Sequence, residues 1–160
     1  MSETRYVSEE YARIAQDLIA TEPELEHLED CPFTIVYLGS DATPTSNGRI
    51  IHGKCEKVPD KFKWGVPADV TITIYDGNVD GFTPQQLRIL IFHELLHVGI
   101  TPDGEPCLNP HDTEDFAVIL DRFGAHWSEA KPDDGQPQCK IKRTDFGFPW
   151  PPIMEVKNDG

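Results

Sequence analysis

Apolar residues recur at three- and four-residue spacing between Ser8 and Ile19, and this spacing predicts an amphipathic α-helix. Ser8 is expected near its start. The apolar face consists of Tyr11, Ile14, Ala15, Leu18 and Ile19. We expect this helix to cover one face of a β-sheet.

Three later segments have the composition of β-strands. The segments 33–39 (FTIVYLG) and 49–58 (RIIHGKCEKV) are rich in β-branched residues, and the stretch between them, SDATPTSNG, is dense in turn formers and predicts a loop. From 69 to 77 the sequence DVTITIYDG alternates apolar residues with threonine and tyrosine. This alternation predicts a half-buried strand, which we place at an edge of the sheet.

A helix with well-marked boundaries is predicted from Thr83 onward. Thr83, Pro84 and Gln86 match an N-cap, a proline at the first helical position and the partner of a capping box. Gly99, followed by Pro102, is expected to end the helix. Its core-facing stripe is predicted to be Leu87, Ile91, Leu95 and Val98.

A second helix is predicted from about Pro110 to Phe123, with Gly124 as its stop. Its inward positions are predicted to be Phe116, Ile119, Leu120 and Phe123. The proline-rich sequence after Trp127 predicts an extended strap over 128–160. These elements indicate one α+β domain over 1–160, with a core at about 8–127 in which a small mixed sheet packs on the helices.

Charge and composition narrow the function classes. The 160 residues carry a net charge of −14, and half of that charge falls between Met1 and Asp30. An acidic surface repels nucleic-acid phosphates, so no nucleic-acid partner is expected. The chain has no apolar run of membrane-spanning length and no secretory signal pattern at its start, which predicts a soluble, cytoplasmic protein without a membrane partner.

The four cysteines stand alone at Cys31, Cys55, Cys107 and Cys139, without a C-x-x-C pair. Isolated cysteines in a cytosolic protein are expected to be thiols that pack as small apolar residues.

The sequence HELLH, from His93 to His97, is the chief candidate for chemistry. Two histidines four residues apart on a helix can converge on one zinc ion, and the glutamate after the first, Glu94, can act as a base toward a zinc-bound water. A glutamate in this position can accept the proton of that water and pass it to a leaving amine. The motif therefore predicts a zinc-dependent peptidase.

Catalytic zinc commonly has three protein ligands, so a third is expected downstream. The metzincin spacing would give Asp103, but Ile100 stands where that pattern requires glycine. His111 is the preferred candidate, and Glu114 would instead complete a His-His-Glu site. Asp115 could accept a hydrogen bond from an imidazole, although the acids around it also suit a helix N-terminus.

The segments HELLHVGI (93–100) and NPHDTEDFAVILDRFGAHW (109–127) resemble the putative phage metallopeptidase domain family. The resemblance extends upstream to about Phe33, and a more distant similarity links the chain to SprT-like zinc proteases, although it lacks their C-terminal cysteine ribbon. The resemblance implies a zincin-like fold, zinc on His93, His97 and His111, and Glu94 as catalytic base. The resemblance implies no particular substrate. From the peptidase function we expect a peptide or protein substrate, and from a phage origin the host cytoplasm.

An alternative function is a zinc-stabilised protein that binds a host or phage partner without hydrolysing it. Glu94 argues against it, because a structural zinc needs no base and is usually closed by a fourth protein ligand. For the peptidase, we expect an extended substrate to pair with the exposed edge of the strand Val70–Tyr75. Tyr75 and His126 are the candidates for stabilising the oxyanion.

Overall fold

A computed structural model of the chain describes residues 3–110, 116–124 and 127–129. Its main sheet has four strands, which we number with the others in chain order: β1 (Arg5–Val7), β2 (Ile35–Ser40), β5 (Gly53–Lys57) and β6 (Val70–Tyr75). Two small hairpins join β3 (Thr45–Ser46) to β4 (Arg49–Ile50) and β7 (Val98–Ile100) to β8 (Pro106–Leu108). The α-helices are α1 (Glu9–Thr21), α2 (Pro84–Leu96) and α3 (Ala117–Phe123).

The main sheet is mixed and runs in the order β1-β2-β6-β5. Strands β2 and β6 are parallel, whereas β1 pairs antiparallel with β2 and β5 pairs antiparallel with β6. The α+β class predicted from the sequence is therefore confirmed. Among the residues that the structure describes, no helix combines the length and the apolar character that crossing a membrane requires.

The N-terminal helix forms as predicted. The side chain of Ser8 accepts a hydrogen bond from the backbone N–H of Tyr11 at 3.1 Å, which caps the helix. Tyr11, Ala15 and Leu18 are buried, as the apolar spacing indicated. An ion pair of 2.6 Å between Asp17 and Arg88 joins α1 to α2.

We predicted that the strand Val70–Tyr75 lies at an edge of the sheet. The structure instead places it in the interior. It pairs with β2 on one side and with β5 on the other. The polar residues that suggested an edge lie on the second face of the sheet, where Thr73 is fully buried and its hydroxyl accepts a hydrogen bond from Arg5 at 3.3 Å. Alternation of apolar and polar residues along a strand shows how its two faces differ. It does not show whether other strands pair with it on one side or on both.

The predicted strand over 49–58 is divided in two. Asn47 and Gly48 have positive φ angles of 53° and 77°, and they turn the chain between β3 and β4 within the predicted loop. The chain then passes Ile51 and His52 before β5 begins at Gly53. An Asn-Gly pair favours such a hairpin turn, so this signal was present in the sequence.

The helix that carries HELLH ends earlier than predicted. Its last residue is Leu96, and His97 is its C-cap. Val98 and Gly99 were predicted as the end of the helix, but they begin the β7–β8 hairpin. Val98 is still buried, although it lies in β7 and not in the helix. The predicted second helix is described only as α3, which follows Phe116, while residues 111–115 and the strap from residue 130 lie outside the described residues.

Candidate metal centre

The helix α2 is fixed at its start by the predicted capping box. The hydroxyl of Thr83 accepts the N–H of Gln86 at 3.1 Å, and the side chain of Gln86 accepts the N–H of Thr83 at 2.8 Å. The side-chain amide of Gln86 also donates to the carbonyl of Trp127 at 3.1 Å. These bonds satisfy N–H groups that the first turn of a helix leaves unpaired, and they hold α2 in a defined position.

The body of α2 is buried on several sides. Ile91, Phe92 and Leu95 have no exposed surface, and Glu94 is 5% exposed. Between these positions the two histidines, His93 and His97, are half-buried. The core therefore holds the backbone of the helix rigidly just where the histidines project.

His93, Glu94 and His97 form a compact group that could hold a metal ion. One ligand atom from each lies within 4.8 Å of the others. The imidazole centroids of His93 and His97 are 5.1 Å apart, and Nε2 of His93 lies 4.0 Å from Oε2 of Glu94. The i, i+4 spacing brings both rings to one side of the helix end, as the sequence predicted.

The backbone carbonyl of Asn109, the residue directly after β8, orients the second histidine. Nδ1 of His97 lies 2.7 Å from the carbonyl oxygen of Asn109, which can only accept a hydrogen bond. Nδ1 must therefore carry the proton, and in the neutral ring Nε2 then carries the lone pair that a metal needs. The N–H of Asn109 donates to the carbonyl of His97 at 2.6 Å, so the two residues continue the pairing of the β7–β8 hairpin.

Gly99 allows the approach of Asn109. A Cβ atom at Gly99 would lie 2.7 Å from Oδ1 of Asn109 and 2.8 Å from Sγ of Cys107, closer than side-chain carbon atoms come to such neighbours. The side chain of Asn109 also donates to the carbonyl of Leu96 at 3.3 Å, beside the end of α2. The glycine thus leaves room for the side chains of Asn109 and Cys107, and it is not the helix stop that we predicted.

Phe116 lies against both imidazoles from the N-cap position of α3. Its ring centroid is 5.4 Å from that of His93 and 4.9 Å from that of His97, with interplanar angles of 69°. Edge-on contacts of this kind are favourable for aromatic rings. Phe116 is 7% exposed, so it also covers one side of the histidine pair.

Glu94 faces the strand β5. Its Oε2 would lie 3.2 Å from a Cβ atom at Gly53, so the glycine leaves space at this carboxylate. Burial raises the pKa of the neighbouring Cys55 thiol to about 12, and the negative charges of Glu94 and Glu56 contribute to the increase. Near neutral pH the Cys55 thiol therefore keeps its proton, and it adds no second negative charge beside Glu94.

The structure separates the remaining candidates. His111, Asp112, Glu114, Asp115 and His126 lie outside the described residues. Asp103 lies in the turn between β7 and β8, at the opposite end of the hairpin from His97.

Tyr75 is not at the centre either. Ile74 lies beside Gly53 near Glu94, and successive residues of a strand point to opposite faces of a sheet, so Tyr75 points away from Glu94. Burial raises its pKa, and the positive charges of Arg5 and Lys54 act against that increase.

Sequence reasoning missed four residues of this centre: Asn109, Phe116, Gly53 and Cys55. The first two come close to the histidines only through the hairpin and the start of α3, and the other two through strand pairing. Gly99 was the one available signal, because an isolated glycine can mark a close backbone approach as well as a helix end.

The arrangement defines a class: an α+β domain with a candidate metal-binding group of two histidines and a glutamate at the end of a buried helix. The chain belongs to the putative phage metallopeptidase family, whose model matches residues 4–146. This family implies a metal cofactor and a peptide or protein substrate, and it confirms the resemblance found in the sequence. Comparison with curated proteins and comparison with solved structures both found no match.

Proposed function

We propose that the protein is a zinc-dependent metalloendopeptidase of zincin-like fold that uses Glu94 as its general base. The observation that carries the proposal is the group of His93, Glu94 and His97, whose ligand atoms lie within 4.8 Å of one another. Membership of a metallopeptidase family supports the same reaction class. The proposed metal ligands are His93, His97 and His111.

The donors available suit zinc. Imidazole nitrogen is a common zinc ligand, and a ligating histidine usually donates its other N–H to a carbonyl or carboxylate, as His97 does to Asn109. His111 follows Asn109 by two residues in the sequence, and it is the third ligand in this proposal. Glu114, two residues before Phe116, is the alternative.

Glu94 is suited to proton transfer. A bound zinc ion would lower the pKa of a coordinated water toward neutrality. Glu94 would accept a proton from the attacking water and donate it to the leaving amine. Its side chain is buried beside Gly53, where no Cβ atom obstructs the carboxylate.

The substrate is proposed to extend along β5. This strand carries Gly53 beside Glu94, and within the described ranges 3–110, 116–124 and 127–129 it pairs with β6 alone. An extended peptide can add to such an edge through main-chain hydrogen bonds. The edge predicted from the sequence belonged to β6, and the pairing of β6 on both sides excludes it.

The test is digestion of an unbiased peptide library by zinc-loaded wild type and by Glu94→Gln. The substitution removes a base without removing a proposed ligand, so we expect unchanged zinc content and melting temperature and a fall in cleavage of about 10²- to 10⁴-fold. Glu105→Gln is the matched control, because Glu105 is exposed in the turn of the β7–β8 hairpin.

Equal cleavage by wild type and Glu94→Gln would exclude Glu94 as the base. Cleavage by neither protein would contradict the endopeptidase and favour the zinc-stabilised binding protein. In that case His97→Ala should impair partner binding while Glu94→Gln leaves it intact.

A further inference from the structure

The connection between β5 and β6 presents apolar side chains to solvent. We call residues 59–67 the aromatic loop. Trp64 is 90% exposed, Phe62 is 49% exposed and Val66 is 40% exposed. Tryptophan is usually well buried, and adjacent exposed apolar residues commonly mark an interaction surface.

The aromatic loop has a defined conformation. At its base, the N–H of Val58 donates to the carbonyl of Asp69 at 2.8 Å. The ammonium group of Lys63 lies 3.2 Å from Asp60 and 3.4 Å from Asp69, and backbone hydrogen bonds close the turn at Phe62. The apolar side chains therefore project from a structured turn, which reduces the entropy lost on binding.

The charge around the aromatic loop is opposite to that of the whole chain. Residues 54–69 contain four lysines and three acids, a net charge of +1, whereas the chain carries a net charge of −14. The ammonium group of Lys61 lies 5.2 Å from the centroid of the Phe62 ring, so positive charge and aromatic surface are adjacent. A partner that combines acidic and apolar side chains is complementary to this surface.

The aromatic loop continues the strand that passes Glu94. From Gly53, beside the Glu94 carboxylate, β5 extends to Lys57 over about 13 Å. The loop begins two residues later. A polypeptide that ran antiparallel to β5 would therefore place residues N-terminal to the cut bond near the loop.

We propose that the aromatic loop is a docking subsite for an acidic, apolar segment of the polypeptide substrate, located N-terminal to the bond that is cut. The proposal rests on the proposed peptidase function and adds a substrate class to it. Apolar side chains of the segment contact Trp64 and Phe62, and its carboxylates lie near Lys61 and Lys57.

The test measures binding separately from cleavage. Fluorescein-labelled short peptides composed of Asp, Glu, Leu and Phe are titrated into Glu94→Gln protein, beside a matched set in which Lys replaces the acids. We expect the acidic set to bind more tightly, and Trp64→Ala in the same background to weaken its binding by about tenfold or more. Lys61→Glu should weaken it as well.

Two control variants account for general effects. Val7→Ala removes another exposed apolar side chain, on β1 at the far edge of the sheet, and Arg13→Glu makes the same charge change on α1. Neither should alter binding of the acidic set. Thermal melts should show that Trp64→Ala remains folded, because the side chain is almost fully exposed.

Acidic peptides that bind Trp64→Ala as tightly as its parent, or no more tightly than the lysine set, would overturn the proposal. Trp64-dependent binding to phosphatidylserine vesicles without binding to acidic peptides would overturn it in favour of a membrane contact. Trp64-dependent peptide binding without cleavage by the wild type would contradict the peptidase and leave the docking surface in place.

Discussion

Nδ1 of His97 donates to the backbone carbonyl of Asn109 at 2.7 Å. Asn109, which follows β8, thus holds the proton of His97 on Nδ1. Twelve residues separate the two in sequence. The hairpin β7–β8 brings them together, and at Gly99 in β7 a Cβ atom would meet the side chain of Asn109. The centre is therefore positioned by backbone geometry as well as by the HELLH motif.

Gly99→Ala should weaken zinc binding by about 10- to 100-fold, the usual cost of disturbing a group that orients a metal ligand. The new methyl group would press on the side chains of Asn109 and Cys107, and the expected loss requires that this pressure also moves the backbone carbonyl of Asn109 away from His97. Competition with a chromogenic chelator measures the affinity. Asn109→Ala alone should change it little, because the backbone carbonyl remains, and Gly99→Ala/Asn109→Ala should recover affinity. Loss of affinity in Asn109→Ala but not in Gly99→Ala would show that the amide side chain is the important group.

Metal removal should lower the melting temperature of the wild type. Metal-binding free energy is partly folding free energy, because the ligands converge only in the folded chain. In His97→Ala, the melting temperature should be lower than that of the zinc-loaded wild type and insensitive to a chelator. Scanning calorimetry with and without the chelator tests both statements. A wild type whose melting temperature is unaffected by the chelator would contradict metal binding at His93 and His97.

The buried ion pair between Glu22 and Arg122 should be important for stability. The guanidinium lies 2.8 Å from the carboxylate. The side chain of Glu22 is 0% exposed and that of Arg122 is 4% exposed. Arg122→Met leaves a buried carboxylate without this cation, so we expect a loss of about 3–5 kcal/mol in the free energy of unfolding. Urea denaturation measures it. Glu22→Gln/Arg122→Met should be more stable than Arg122→Met alone, and equal stability would argue against the charge explanation.

Stability should fall at alkaline pH because of a tyrosine pair. Asp76 accepts hydrogen bonds from Tyr6 at 2.6 Å and from Tyr11 at 2.5 Å. The bond to Asp76 raises the pKa of Tyr6 from 10.0 to about 12, and burial raises that of Tyr11. A raised pKa in the folded state stabilises it below the unfolded value, so this stability is complete below pH 10 and decreases toward pH 12.

Urea denaturation across that pH range tests the tyrosine pair. Tyr6→Phe should be less stable than the wild type near neutral pH, and its stability should fall less between pH 10 and pH 12. Val7→Ala, the neighbouring exposed position, should keep the pH dependence of the wild type. Identical pH profiles for Tyr6→Phe and wild type would assign the alkaline loss to other groups, including the partly buried Cys55 thiol.

Local signals predicted the elements that depend on local chemistry. The helix start near Ser8, the Thr83–Gln86 capping box and the Gly124 stop are all confirmed. Cys31, Cys55 and Cys107 are thiols, as expected for the described part of the chain. The α+β class followed from the same patterns.

Features that depend on lateral pairing could not be obtained from these patterns. The position of β6 inside the sheet is decided by its pairing with β2 on one side and β5 on the other, which the sequence of β6 itself does not encode. Helix α2 ends at Leu96 rather than near Gly99 because Val98 and Gly99 pair with β8. The roles of Asn109 and Phe116 arise from the same long-range geometry, whereas the proposed role of His111 remains a prediction.

The two lysines of β5 affect how copies of the protein meet in solution. An open strand edge can template pairing with another chain, and lysine side chains on that edge oppose such self-association. Lys54 and Lys57 are exposed at either side of β5, so two copies that approached edge to edge would bring like charges together. Replacement of both by threonine would remove this repulsion, and concentrated protein should then aggregate more readily, with light scattering as the readout.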